Sequence, residues 1–490
     1  MDVFLQIYVD SLRFAVKNVC VVFVFFVNLH PNIINIKGMK KFIIALVCLL
    51  LIGAAAFWYF HRDTDKARDV LPQDATSAMM FQPAEFVKGL GLDLHDILKL
   101  ASSYGDLEGA IDLTKPVYAF TSEKGLSGIS VNVKDAKKLL ESASSFGFAN
   151  EQKEGLNWVA NDNNIACFDE DKLLILNAPV TEQNALRSEM EKLMSQSRQD
   201  VQALSDMKQD GFLRLNTTLD KLPKDVNFNL PANINLSDVR LNAALGIGKK
   251  DITLSASLQS PEPLMANVMQ PIKGNLSGMG PSAPVFWLCT SMKGENLLEL
   301  LRSQPQLRTA LLGLNMAVDV DMMLKAIDGD ISIVVPKLDL KNPDVLLMAT
   351  LSNTDFLGNA DDWDNVTKIS PSDFIAAYEG TQTYFGVKNG LLYVATSQQM
   401  ASQAALQTVG AMDIPSGKFL YASLNAGQII KSYPGLTMML SVMPQVRDAV
   451  EAIDGVTISA DAQQNFELSL KTKKPVKDII SNLVKLLTGK

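Results

Sequence analysis

"GAIDLTKPVYAF" at Gly109–Phe120 and "KAIDGDISIVVPK" at Lys325–Lys337 share an Ala-Ile-Asp step that leads into a β-rich run. β-Branched and aromatic residues suit a pleated, half-buried surface, so both stretches read as strands. Worked outward, the neighbours of each step follow the same order. "AMMFQP" from Ala78 matches "PVFWLCTS" from Pro284, and helical patterns follow in "FVKGLGLDLHDILKLAS" and "GENLLELLRSQPQLRTALLG". Beyond the two steps, "GISVNV" pairs with "VLLMATLS", and "IACFDEDKLLILN" with "TYFGVKNGLLYVATS". "GFLRLNTTLDKLP" from Gly211 mirrors "KFLYASLNAGQIIKSYPG" from Lys418. Each half then closes on alternating strands around a polar turn and on a proline-started amphipathic stretch. Equivalent landmarks lie roughly 210 residues apart, the size of a domain rather than of a solenoid unit.

The local chemistry agrees with that succession. In "NVKDAKKLLESASSFGF", Asp135 is placed to cap a helix, Leu139 and Leu140 share its apolar face, and Gly147 is placed to stop it. "ITLSASL" and "FELSL" alternate with period two, as strands with one wet face do. The expected class is α+β: two tandem homologous domains, each an antiparallel sheet backed by helices, after an N-terminal transmembrane helix. Residues 75–273 form the first repeat, the Gly- and Pro-rich "GNLSGMGPSAP" at 274–284 the linker, and 285–490 the second repeat.

Ahead of these lies "GMKKFIIALVCLLLIGAAAFWYFHR" at Gly38–Arg62. Phe42–Phe60 is an unbroken apolar run of spanning length, preceded by Lys40 and Lys41, so residues 39–62 read as a signal anchor. The membrane is thus an expected partner through residues 42–60. The charge bias orients the body into the periplasm of a bacterial envelope, tied to the inner membrane by the tether 63–74. "AAA" at Ala54–Ala56 offers a competing cleavage after Ala56. Cys48 lies in mid-run, where it is unsuited to be the lipidated first residue of a lipoprotein. Residues 1–38 differ in composition and read as an upstream extension, with Met39 as the physiological start rather than Met1.

The rest of the sequence excludes more chemistry than it suggests. A net charge of −8 offers nucleic acid no electrostatic attraction. Of three histidines, only His95 belongs to the folded part, and no His-Glu-x-x-His or Gly-x-Ser-x-Gly is present. "GIGKKD" at Gly246 lacks the glycine spacing of a phosphate loop and reads as a hairpin turn. Asp361, Asp362 and Asp364, like Asp319, Asp321, Asp328 and Asp330, do not match a calcium loop and read as turns and caps. Trp158, Trp287 and Trp363 sit in strand or helix patterns rather than as sugar platforms. Cys167 and Cys289 read as buried thiols, with a disulfide between them left open. Methionines at Met79, Met80, Met322 and Met323 suit either a core or an adaptable apolar groove.

With the duplicated "AID" strands, the Phe-Leu-x-x-x-(Asn/Leu) segments and the proline-started helices, residues 73–490 resemble a domain-of-unknown-function family. That resemblance implies exported, often lipid-anchored envelope proteins of gut-type anaerobic bacteria and brings no catalytic residues. The expectation is therefore a non-enzymatic, membrane-tethered extracytoplasmic binding or scaffold protein with no catalytic, cofactor or metal site. Its partner would be an envelope protein or an apolar ligand. An envelope hydrolase using carboxylates only is the alternative. N-terminal sequencing of the native protein is expected to begin at Met39; a start at Phe57 would replace the anchor with a cleaved signal.

Overall fold

The computed structural model describes residues 66–91, 107–145, 149–196, 200–207, 209–222, 235–261, 269–303, 308, 311–312, 319–337, 344–363, 366–378, 381–408, 413–432 and 444–481. Two compact units divide them. The described parts of Met39–Glu262 and Thr472–Lys490 form one, and those of Pro263–Lys471 the other.

The first unit contains β1 (Ala75–Phe81), β2 (Val117–Ser122), β3 (Ser127–Asn132), β4 (Ala149–Lys153), β5 (Leu156–Ala160), β6 (Asn164–Phe168), β7 (Lys172–Asn177), β8 (Leu213–Thr218), β9 (Arg240–Ile247) and β10 (Asp251–Gln259). Their hydrogen-bonded order is β4-β5-β6-β7-β3-β2-β1-β8-β9-β10, antiparallel at every step. The second unit contains β11 (Phe286–Lys293), β12 (Ile327–Val335), β13 (Leu346–Leu351), β14 (Val366–Ser370), β15 (Asp373–Tyr378), β16 (Thr381–Lys388), β17 (Leu391–Ala395), β18 (Lys418–Asn425), β19 (Ile453–Asp461) and β20 (Asn465–Thr472). There the order is β14-β15-β16-β17-β13-β12-β11-β18-β19-β20.

The α+β expectation is incorrect. Twenty antiparallel strands frame the described chain, and its helices are few and short, the longest being Val180–Ser195 with 16 residues. The two tandem domains are corrected as well, because the described residues 472–481 join the unit that holds the described part of 39–262. Sequence periodicity marks amphipathic stretches but does not say how many turns tertiary packing keeps helical. Among the described residues no helix is long and apolar enough to cross a membrane, so the expected N-terminal transmembrane helix has no counterpart there. The segment that carried it, residues 42–60, lies outside the described residues, as do Met39 and Ala56.

Local chemistry explains the elements that are present. Asn389 and Gly390 both adopt left-handed φ (52° and 75°), so β16 and β17 join through the two-residue turn that favours Asn-Gly. Helix Pro83–Leu90 begins on a proline, whose missing N–H costs nothing in the first turn, and ends at left-handed Gly91. Phe86 of that helix and Phe212 close over Phe81 of β1, with ring centroids 4.9–5.8 Å apart. Gly128 in β3 answers a different need: a Cβ there would lie 2.5 Å from Leu176 and 2.6 Å from the Ile175 carbonyl. Alternation then sends side chains to two faces. In the first unit, Trp158, Ile165, Cys167, Leu174 and Leu176 pack with Met190 and Leu193 of helix Val180–Ser195. Ile129, Val131, Phe168 and Leu173 pack on the opposite face with Leu139.

In the second unit a buried acid holds a loop. Asp330 of β12, fully buried, accepts the backbone N–H groups of Lys273 and Asn275, both at 2.8 Å. Its neighbour Ser332 accepts the indole N–H of buried Trp287 at 2.8 Å. Asp330→Ala would remove the buried acceptor of two backbone N–H groups at once. Urea unfolding of that variant is expected to show a loss of about 2–4 kcal/mol, a deficit that a surface change such as Asp328→Ala does not reproduce.

Candidate functional site

The pairing of β1 with β2 and β8 sets the geometry of a concavity among the described residues. It occupies about 390 Å³ over one face of β7, β3, β2, β1 and β8. Cross-strand register divides this face into rows. Leu215 faces Met79, Met79 faces Ala119, and Ala119 faces Ile129, giving an apolar floor. Two residues along each strand the chemistry changes. Ser77 faces Thr121, Thr121 faces Ser127, and Thr217 meets Ser77 with the two hydroxyl oxygens 2.7 Å apart. Because Gly128 faces Leu176, Asn177 falls beside Ser127 and extends the line. A polar row thus crosses five strands, next to an apolar floor.

Lys221 and Leu222 contribute the rim, at the end of a single 3-10 turn, Leu219–Lys221. The Lys221 ammonium lies 3.4 Å from a carboxylate oxygen of Asp220. The hydroxyl of Thr218 and this ammonium hold the Asp220 carboxyl below its ordinary value, against a smaller opposing effect of burial. The rim therefore carries a solvent-exposed ion pair. None of the residues lining the concavity is a carboxylate, histidine or cysteine.

A second polar cluster stands in the other unit. Asp373 accepts the Tyr393 hydroxyl and the Ser370 hydroxyl, each at 2.6 Å, while Lys388 lies 4.0 Å away. The Lys388 ammonium also sits 4.4 Å from the centre of the Tyr393 ring and donates to the Ala401 carbonyl at 2.7 Å. Burial of Asp373 pushes its pKa up, but the two hydroxyl donors and the lysine outweigh it, so the group is held below its ordinary value. Burial, then the bond to Asp373, pushes the Tyr393 hydroxyl up. A phenol so hard to ionise and a lysine already engaged by a carbonyl are poor reactants. The cluster instead ties helix Gln398–Gln403 to β16 and β17.

Other residues singled out from sequence have structural duties. Asp319 caps helix Val320–Lys325 by accepting the Met322 N–H, Asp321 pairs with Arg302, and Asp330 holds the loop described above. Asp328 is exposed at the start of β12. Asp361 and Asp362 end the 3-10 stretch Asp355–Asp362, whereas Asp364 and His95 lie outside the described residues. No group of three or more potential metal ligands occurs among the described residues. "GIGKKD" makes the β9–β10 turn, where the Gly248 N–H donates to the Asp251 carbonyl at 2.8 Å. Cys167 and Cys289 are buried and unpaired, and burial raises both thiols, Cys289 to about 12, which leaves them inert. Trp158 and Trp287 are buried, and Trp363 packs against Phe374 and Phe385. Met79 reaches the concavity, and Met80 packs beside the core on the opposite face. The hydroxyl row escaped sequence reasoning because serine and threonine on the wet side of a strand carry no signal until register aligns them.

A family model described as "Domain of unknown function (DUF4836)" matches residues 106–475. No curated protein matches the chain. Among solved structures, crystal form IV of TP0453 aligns at 13% identity over 39% of this chain and 79% of its own, with a TM-score of 0.27. Crystal form III of TP0453 aligns at 14% identity over 41% and 82%, again at 0.27. Scores that low carry no argument about fold or function.

The Asp373 cluster gives a pH prediction. A carboxyl held low in the folded state contributes stability above its unfolded value, near 3.8, and loses it as pH falls through the folded value. Asp373→Asn is expected to lower stability at pH 7 by about 1 kcal/mol and to flatten the further loss between pH 5 and pH 3, each pH value being approximate. Chemical unfolding across that range reads both effects.

Proposed function

The chain belongs to the DUF4836 family, whose description assigns no activity, and from that premise we propose that it is a non-catalytic binding protein that takes an apolar ligand on the β8-β1-β2-β3-β7 face. One observation carries the proposal: a concavity of about 390 Å³ with an apolar floor and no carboxylate, histidine or thiol in its lining. Its volume falls in the range of small-molecule sites, and a preformed sheet face loses little entropy on binding. Such a lining holds a ligand without an activated nucleophile, because its hydroxyls have no carboxylate or imidazole among the lining residues and Lys221 is paired with Asp220. The same lining favours a small apolar ligand over a folded envelope protein, which needs a broader surface. The apolar run at residues 42–60 and the two lysines before it support a tethered protein facing the periplasm of a bacterial envelope. The sequence resemblance to exported envelope proteins of gut-type anaerobes supports the same setting.

Photocrosslinking tests the proposal. The full-length chain in native membranes is irradiated with a ten-carbon chain bearing a terminal diazirine. Crosslinks are expected in peptides carrying Met79, Ala119 or Leu215, saturable and competed by unlabelled probe. Ala119→Trp fills the floor and is expected to reduce them at least tenfold. Retained thermal unfolding of that variant would show that the loss is local. Crosslinks absent from this face, or undiminished in the folded variant, would overturn the proposal.

A further inference from the structure

We infer that the ligand is an amphiphile with an uncharged, hydroxyl-bearing head, its head on the Ser77–Thr121–Ser127 row and its chain along the Met79–Ala119–Ile129 floor. This rests on the proposal that the β8-β1-β2-β3-β7 face is a ligand site, and adds the chemical class of the ligand.

The division of the face into rows is the first reason. Apolar side chains stand in register across β8, β1, β2 and β3, and hydroxyls stand in register immediately beside them. Ser77 and Thr217 already bond each other, but a purely apolar ligand would cover Thr121 and Ser127, whose hydroxyl oxygens stand 3.4 Å apart, without giving them hydrogen bonds, which is costly when water is displaced. A head lying across the row and a chain lying across the floor match both.

Charge decides the kind of head. Every member of the row, from Thr217 to Asn177, is neutral, and the one basic side chain in the lining, Lys221, already faces Asp220. An anionic head would have to compete with Asp220 for the ammonium, and a cationic head would meet the ammonium. Hydroxyls and the Asn177 amide both donate and accept, the pattern that complements a polyol. Thr121 and Ser127 lie 3.4 Å apart, long for an O–H···O bond, so both keep capacity for a partner. Asn177 stands exposed at the end of its strand.

The other unit shows that the strand order does not require this row. Strands β11, β12 and β18 stand in the same positions of their order as β1, β2 and β8. On the corresponding face, Phe286 pairs with Val335 and Leu424, and Leu288 with Ile333 and Ala422. Apolar residues serve that sheet, so the hydroxyls of the first unit are not a requirement of the pairing.

The test compares ten-carbon diazirine probes bearing a glycerol, a carboxylate or a trimethylammonium head, each irradiated with the full-length chain in membranes. The glycerol probe is expected to crosslink at this face about tenfold more efficiently than either charged probe. Ser77→Ala combined with Thr121→Val is expected to lower glycerol-probe crosslinking to the level of the charged probes, with the variant's thermal unfolding retained. Equal crosslinking by all three heads, preference for a charged head, or a preference that survives in the double variant would overturn the inference. In each of those outcomes crosslinking at the floor still supports an apolar ligand site. Absence of crosslinks at the floor with every probe would instead overturn the proposed function itself.

Discussion

Strand β1 is hydrogen-bonded along both edges, to β2 on one side and to β8 on the other. Those two ladders join segments remote in sequence: Ser77 and Thr217 are 140 residues apart along the chain and touch across the sheet. Each backbone bond contributes only about 1 kcal/mol net, but Ala78–Phe81 are paired on both edges, and losing either partner strand would leave backbone groups without hydrogen bonds. Register then has no freedom, because a slip of one residue would turn Ala78 out of the core and Met79 into it. The floor and the row over the concavity are consequences of that register.

Several carboxylates of the described chain hold its frame. Asp319 starts a helix, Asp330 holds a loop from inside the sheet, and Asp373 anchors a helix through Tyr393 and Lys388. Once a carboxylate accepts two donors in a fixed geometry, moving a proton onto it means giving those bonds up. The concavity, by contrast, keeps neutral polar groups and apolar side chains, with a solvent-exposed ion pair at the rim. Chemistry that binds and chemistry that braces are thus separated in this protein.

The same strand order carries two different faces. Hydroxyls line it in one unit and Phe286, Val335 and Leu424 in the other. Backbone pairing depends on N–H and C=O groups that every residue but proline supplies, so the order tolerates exchange of side chains on a face that is only partly covered. The opposite faces are less permissive. Trp158 with Cys167 and Leu174, and Trp287 with Cys289 and Met348, occupy dense interiors where volume is constrained.

Sequence alone determined where strands and turns fall. The alternation in "ITLSASL", the hairpin turn at "GIGKKD" and the cap at Asp135 depend on neighbours within a few residues, and they recur in the structure, whereas Asp328 and Asp330, read as turns or caps, lie within β12. The α+β class did not follow from the same evidence. Amphipathic periodicity marks a face, yet the length of helix that survives depends on what the face packs against. Only the tertiary structure decided which hydroxyls stand together, because Ser77, Thr121, Ser127 and Thr217 come from four strands. Their alignment is set by hydrogen-bond register between distant segments, a quantity that no local pattern encodes.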